Sequence, residues 1–305
     1  MRKRRYYPRK SRGRRDNHTV RFRLKPEADA KLKRVFAEIG VPEQTPFRPD
    51  PFQLEALAAI ERTDCLVTAP TGAGKTWIAE QAISRIHEKG KKSWYASPLK
   101  ALSNAKYAEF SKIFGPERVG ILTGDRKENP EASIVVGTTE ILRNQLYDSM
   151  HQGVSLSTDF VILDEAHFLG DEDRGVVWEE IFIYLPSRIP ILMLSATVGN
   201  AYEIADWLSS IRSRHCTVIE EKERPVPLYS LYLHHTGALF PLLSDGKSRG
   251  KRKLYKKVMA YENSRRPIRL AAARRLPPFG EILGVLRKYR LLPTIFFLKS
   301  RADCD

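Results

Sequence analysis

The stretch Thr68-Ala69-Pro70-Thr71-Gly72-Ala73-Gly74-Lys75-Thr76 sets two glycines, a lysine and a hydroxyl directly after an apolar run. That is the composition a phosphate cradle needs, because successive backbone N–H groups and a helix N-terminus bind phosphate oxygens. Gly72 and Gly74 permit the tight path, and Thr71 and Ala73 complete the loop. Lys75 reaches terminal phosphates, and Thr76 supplies a hydroxyl to Mg²⁺. Ala69 stands where the general pattern has glycine. The competing reading, a plain glycine turn, does not require the order strand, loop, helix that this segment has.

Two further groups follow in chain order. An apolar run leads into Asp164-Glu165-Ala166-His167. An Asp at a strand end holds Mg²⁺ through water, and an adjacent Glu orients and deprotonates an attacking water. A lone acid pair is more often a solvent-facing cap, but here a phosphate loop lies upstream. The third group is Ser195-Ala196-Thr197, again after an apolar run. Its hydroxyls either cap the helix expected from Asn200 or sense the nucleotide side for the rest of the fold.

These groups need elements that bring them together. Apolar runs at 65–68, 92–97, 119–123, 133–137, 159–164 and 190–195, with later ones near 216–221 and 227–234, predict strands. Amphipathic helices are predicted between them at 76–90, 99–114, 139–148, 176–185 and 200–212. Strands without polar alternation, separated by helices of this length, imply an α/β fold with a mainly parallel sheet covered on both faces. In such sheets ligands bind beyond the C-terminal strand ends, where all three groups fall.

The 305 residues are 42% hydrophobic, enough for a sizeable core. No apolar run reaches the roughly 18 residues of a membrane span, and the basic start lacks a leader's apolar segment. Cys65, Cys216 and Cys304 have no metal-ligand spacing, which predicts a reduced, cytoplasmic protein. The net charge of +16 concentrates in the opening MRKRRYYPRKSRGRR and in residues 247–275. Such clusters favour polyanions through counterion release; the alternative is a solvated tail.

GAGKT, DEAH and SAT in this order resemble the first RecA-like domain of superfamily 2 helicases. The resemblance implies a RecA-like P-loop domain using ATP and Mg²⁺, with Thr76 and Asp164 on the metal and Lys75, Asp164, Glu165 and His167 in catalysis. It implies coupling through Ser195 and Thr197. FRPDPFQLEAL is similar to the family's adenine element, which points to Phe47 for stacking and Gln53 for the adenine edge. ASPLKALSNAKYAEF, TGD and TTEIL resemble elements that grip a nucleic-acid backbone. They point to Pro98, Lys100 and Leu102, to Thr123, Gly124 and Asp125, and to Thr138, Thr139 and Glu140. The RG-x-x-W-E-E run and RPVPL look like the superkiller-like DExH branch, implying an RNA helicase acting on single strands. A DNA helicase with the same ATP chemistry, and a module that binds nucleic acid without turnover, remain the alternatives.

The resulting organisation is a basic arm and lead-in helix at 1–45, a first RecA-like domain at 46–235 and a basic linker at 236–278. Residues 279–305 resemble the opening of a second RecA-like domain, with its first strand at 293–298. The arginine-bearing QxxGRxGR element of such a domain does not occur in the sequence. The resemblance therefore implies ATP binding without full motor activity.

Overall fold

The computed structural model describes residues 24–39, 46–244, 253–263 and 276–304; the basic arm and most of residues 247–275 lie outside them. The elements begin with β1 (Glu27–Ala28) and α1 (Ala30–Glu38). They continue with α2 (Pro51–Ala59), β2 (Asp64–Thr68), α3 (Lys75–Glu88), β3 (Ser93–Ser97) and α4 (Lys100–Phe114). Then come β4 (Val119–Thr123), β5 (Arg126–Glu128), β6 (Ile134–Thr138), α5 (Thr139–Gln152) and β7 (Phe160–Asp164). After these are α6 (Gly175–Tyr184), β8 (Ile191–Ser195), α7 (Ala201–Arg212) and β9 (Cys216–Glu220). Last are β10 (Leu231–Leu233), β11 (Ala238–Pro241), α8 (Lys256–Glu262) and α9 (Phe279–Lys288).

The chain divides into a larger unit, Thr45–Pro227, and a smaller one joining Met1–Gln44 to Leu228–Asp305. In the larger unit one sheet runs β5-β4-β6-β3-β7-β8-β2-β9, parallel throughout except for β5 at its edge. Strands β2, β3, β4, β6 and β8 are buried at every position. Both faces are covered, so these strands carry no polar alternation. Side chains still alternate between the two cores. Cys65, Val67 and Tyr95 pack with Ile78, Ile83 and Phe110 of α3 and α4. Leu66, Trp94 and Val161 pack with Leu142, Trp178, Phe182 and Leu208 of α5, α6 and α7.

The smaller unit holds a three-stranded sheet, β1-β11-β10, over a cluster of Leu24, Ala28, Leu32, Leu239, Ile282 and Val285. Here the chain differs from the sequence reading. The run expected to continue the first domain to residue 235 instead places Leu231–Leu233 antiparallel to Ala238–Pro241. The contact boundary accordingly falls after Pro227. Residues 236–278, read as a linker, contribute β11 and α8. Residues 293–298, expected as a strand, find no ladder partner among the described residues, and Ile295 and Phe297 are 78% and 91% exposed. The antiparallel β5 also escaped the sequence reading, since three polar residues carry no apolar signal. Among the described residues no helix is long and apolar enough to cross a membrane.

Candidate nucleotide and nucleic-acid site

The strand order assembles the site. β8 lies between β2 and β7, so three groups far apart in sequence end side by side at one sheet edge. Thr68 pairs with Ser195, and Asp164 with Leu194. The Ala69 N–H donates to the Ser195 carbonyl at 3.1 Å, which ties the start of the loop to the end of β8. Ser195 is buried and Thr197 exposed. Asn200 takes the N-cap position of α7 as expected, but without a side-chain cap bond.

The loop follows the path its glycines permit. Gly72 and Gly74 sit at φ +89° and +79°, the left-handed region that side chains rarely enter. α3 starts at Lys75 directly after Gly74, so its first backbone N–H groups face the loop. Lys75 Nζ donates to the carbonyls of Ala69 at 2.7 Å and Pro70 at 3.2 Å. Burial pulls its ammonium below the usual lysine value, while the carboxylates of Glu165 and Asp164 push it back up. Arg224, which the sequence reading did not single out as a site residue, adds to the lowering.

Gln53, expected at the adenine edge, is bonded within the chain to the phosphate loop and to the start of α2. It is buried, and its Nε2 donates to the carbonyls of Ala73 and Gly74, both at 3.2 Å. Its Oε1 accepts the Asp50 N–H at 2.8 Å, half of a capping box that opens α2 behind Pro51. A side chain on Gly74 would collide with this amide. Phe47 is 64% exposed and tilts against Trp77 at 5.4 Å. Phe47, Gln53, Gly72, Ala73, Gly74 and Pro225 line an open cavity of about 680 Å³.

At the end of β7 both oxygens of Asp164 are held. Oδ1 accepts the Glu165 N–H at 2.9 Å, and Oδ2 accepts the hydroxyl of Tyr95. Burial, and then the Asp164 carboxylate, hold the Tyr95 phenol well above its ordinary value, so it serves as the donor. Glu165 adopts φ +57° and ψ +43°. A residue with a side chain in that region stores backbone strain on the order of 1–3 kcal/mol. Its Oε2 lies 3.3 Å from His167 Nδ1.

The residues expected to grip a nucleic-acid backbone gather at the ends of β3, β4 and β6. Lys100 Nζ lies 3.2 Å from Asp125 Oδ1, which also accepts the Thr123 hydroxyl at 2.9 Å. Those two donors hold Asp125 below the ordinary carboxylate value. Gly124 sits beside Lys100. Thr138 occupies the N-cap of α5, with Thr139 and Glu140 in its first turn. Pro98 is buried, Leu102 half-buried on α4. Arg126 went unremarked in the sequence, and Arg174 entered only as the first residue of the RG-x-x-W-E-E run, with no contact assigned to it. Arg174 donates to the Pro98 carbonyl at 3.4 Å, and Arg126 lies 4.6 Å over the Tyr107 ring and bonds Asn104. Only the fold brings them to this edge.

A parallel sheet covered on both faces, with a glycine loop and an acid pair at one strand edge, defines an ATP-binding P-loop domain. The DEAD/DEAH box helicase model matches residues 50–204, and the chain belongs to that family. It is similar to the probable helicase HelY of Mycobacterium tuberculosis, 39% identical over 292 residues, covering 90% of this chain and 31% of the relative. The DExH-box ATP-dependent RNA helicase DExH15 of Arabidopsis thaliana is 37% identical over 301 residues, covering 85% and 26%. Human Superkiller complex protein 2 is 39% identical over 282 residues, covering 86% and 22%. The relatives are thus of the superkiller-like branch, and the chain spans between 22% and 31% of their length.

Proposed function

We propose that the larger unit binds ATP with Mg²⁺ and hydrolyses it, and that turnover is coupled to movement along single-stranded RNA. The observation that carries the ATP part is the convergence of β2, β8 and β7, which sets Lys75 within electrostatic reach of Asp164 and Glu165. Support for RNA comes from the Arabidopsis relative, which is named an RNA helicase, and from the basic excess. The free Cys65, Cys216 and Cys304 support a reduced, cytoplasmic setting.

The donors present fit Mg²⁺: the Thr76 hydroxyl and the Asp164 carboxylate are hard oxygens. Among the described residues no group of three or more His, Cys, Asp or Glu forms a metal cage. None is needed where one or two protein oxygens and the phosphates share the ion. When bound, the ion neutralises charge on the phosphates. Lys75 exchanges its own loop carbonyls for phosphate oxygens. Glu165 orients a water and takes its proton, with His167 beside it. Phe47 offers its exposed face to the base, and Gln53 holds the loop that receives the phosphates. Pro98, Lys100, Leu102, Thr123, Gly124, Asp125, Thr138, Thr139 and Glu140 form the nucleic-acid side, where the start of α5 suits a phosphate. Ser195 and Thr197 link the two sides.

The test is ATP binding and hydrolysis by the full chain with single-stranded RNA, single-stranded DNA or neither, beside Lys75→Ala. Lys75-dependent nucleotide binding and turnover are expected. Stronger binding or stimulation by RNA than by DNA supports the reading. Equal response to DNA redirects it to a DNA translocase, and activity surviving Lys75→Ala overturns the site.

A further inference from the structure

β3 and α4 send two polar side chains toward the metal side of the nucleotide site. Tyr95 lies in mid-β3, fully buried, in register with Ile162 of β7. From there its hydroxyl reaches Asp164 Oδ2, two residues further along the neighbouring strand. With Oδ1 already on the Glu165 N–H, the two bonds set the plane of the carboxylate. The Tyr95 ring is itself fixed edge-on against Phe110 of α4, with centroids 5.1 Å apart at 88°.

Lys106, on the same α4, reaches across to α3. Its Nζ donates to Thr76 Oγ1 at 3.1 Å and to Glu109 Oε2 at 2.7 Å. A cation aimed at the first turn of a helix opposes the helix dipole, so propensity alone would not place Lys106 there. Glu109 offsets that cost from three residues along α4. The hydroxyl of Thr76 is thereby oriented with one lone pair engaged and another left for a ligand.

We propose that Tyr95 and Lys106 are positioning residues for the metal side of the site, orienting Asp164 and Thr76 respectively. The proposal rests on the ATP reading above. Neither residue touches the nucleotide or the ion; each aims an oxygen that does. Groups that orient metal ligands in this way change metal affinity by about 10–100-fold when removed. Because β3 runs through Pro98 into α4, which carries Lys100 and Leu102, the two elements that aim these oxygens also carry the residues assigned to nucleic acid.

The test follows binding of a fluorescent non-hydrolysable ATP analogue to the full chain while Mg²⁺ is titrated. Wild type is set beside Tyr95→Phe, Lys106→Met and a packing control in the opposite core, Phe182→Leu. The expected result is a Mg²⁺ half-saturation raised about tenfold in Tyr95→Phe and in Lys106→Met. Their affinity for the analogue in EDTA should stay at the wild-type value. Phe182→Leu should lower the urea midpoint and leave the Mg²⁺ half-saturation in place. An unchanged half-saturation in either variant overturns the role of that residue, and Lys106→Met tests the idea even if Tyr95→Phe folds poorly. A rise matched by an equal loss of affinity in EDTA also overturns it, since that would be a packing effect. Wild-type binding that is absent, or that survives Lys75→Ala, overturns the ATP reading and this inference with it.

Discussion

Arg212 Nε donates to Asp64 Oδ2 across 2.7 Å, with both side chains 1% exposed. The guanidinium also donates to the carbonyls of Leu185 at 2.8 Å and Ile189 at 2.7 Å, and Asp64 Oδ1 accepts the Ile191 N–H at 3.0 Å. This network joins the start of β2 to the end of α7 and the start of β8. Arg212→Ala would leave Asp64 with Arg214 Nε, 3.1 Å from Oδ1, as its remaining cation and would open the Leu185 and Ile189 carbonyls, a loss of about 3 kcal/mol. Urea unfolding measures it, and an unchanged midpoint would refute the estimate.

Gln53 makes a second prediction, because one amide serves both the α2 cap and the loop. Gln53→Ala leaves the Ala73 and Gly74 carbonyls and the Asp50 N–H without their partner, costing about 1–3 kcal/mol. Gln53→Glu should be worse for nucleotide binding, since it turns a carboxylate oxygen toward two carbonyl oxygens. Isothermal titration with an ATP analogue gives the order: wild type tightest, then Ala, then Glu.

Glu165→Gln keeps the shape of the side chain and removes its basicity. Turnover should fall by about 10²–10⁴, the usual contribution of a general base, while analogue affinity stays within a few-fold of wild type. Hydrolysis that persists unchanged would assign the proton transfer elsewhere.

The three cysteines should separate sharply. Burial pushes the Cys216 thiol up to about 12 from its ordinary 9.0, and burial raises Cys65 as well. A raised thiol value means less thiolate and slower alkylation. At pH 8 a native sample should label quickly only at the exposed Cys304, and an unfolded one at all three. The sign of the stability effect follows from the same shift. The native state keeps both buried protons where the unfolded chain releases them. Their contribution is therefore intact below pH 9 and lost as pH rises beyond it. A denaturation midpoint that climbs above pH 9 would contradict this.

Much of the larger unit was legible because its signals are local. Each buried strand announces itself as a continuous apolar run, and the phosphate loop is a contiguous segment whose backbone path is dictated by Gly72 and Gly74. The acid pair and the Ser195 group were recognisable for the same reason, as short segments at strand ends. The smaller unit was harder to read. Glu27–Ala28 and Ala238–Pro241 pair across the length of the chain, and no local pattern specifies such a partner. Residues 293–298 show the converse: Ile295, Phe296 and Phe297 have strand-like composition, but a strand exists only where another offers its backbone groups.

Residue types and their order were enough to point to the chemistry proposed for this chain: a phosphate loop ending in Lys75 and Thr76, the Asp164–Glu165 pair, and the elements that bear them. They were enough because side-chain type and local backbone path are properties of neighbouring residues. Tertiary structure alone decided that β8 lies between β2 and β7, that Gln53 braces the loop, and that Lys100 meets Asp125. It also turned Tyr95, which reads as one more core aromatic, into a donor to Asp164. Parallel strands choose their neighbours through long crossover connections. Which side chains meet across them is therefore set by register and packing, and neither is written in any short stretch of the chain.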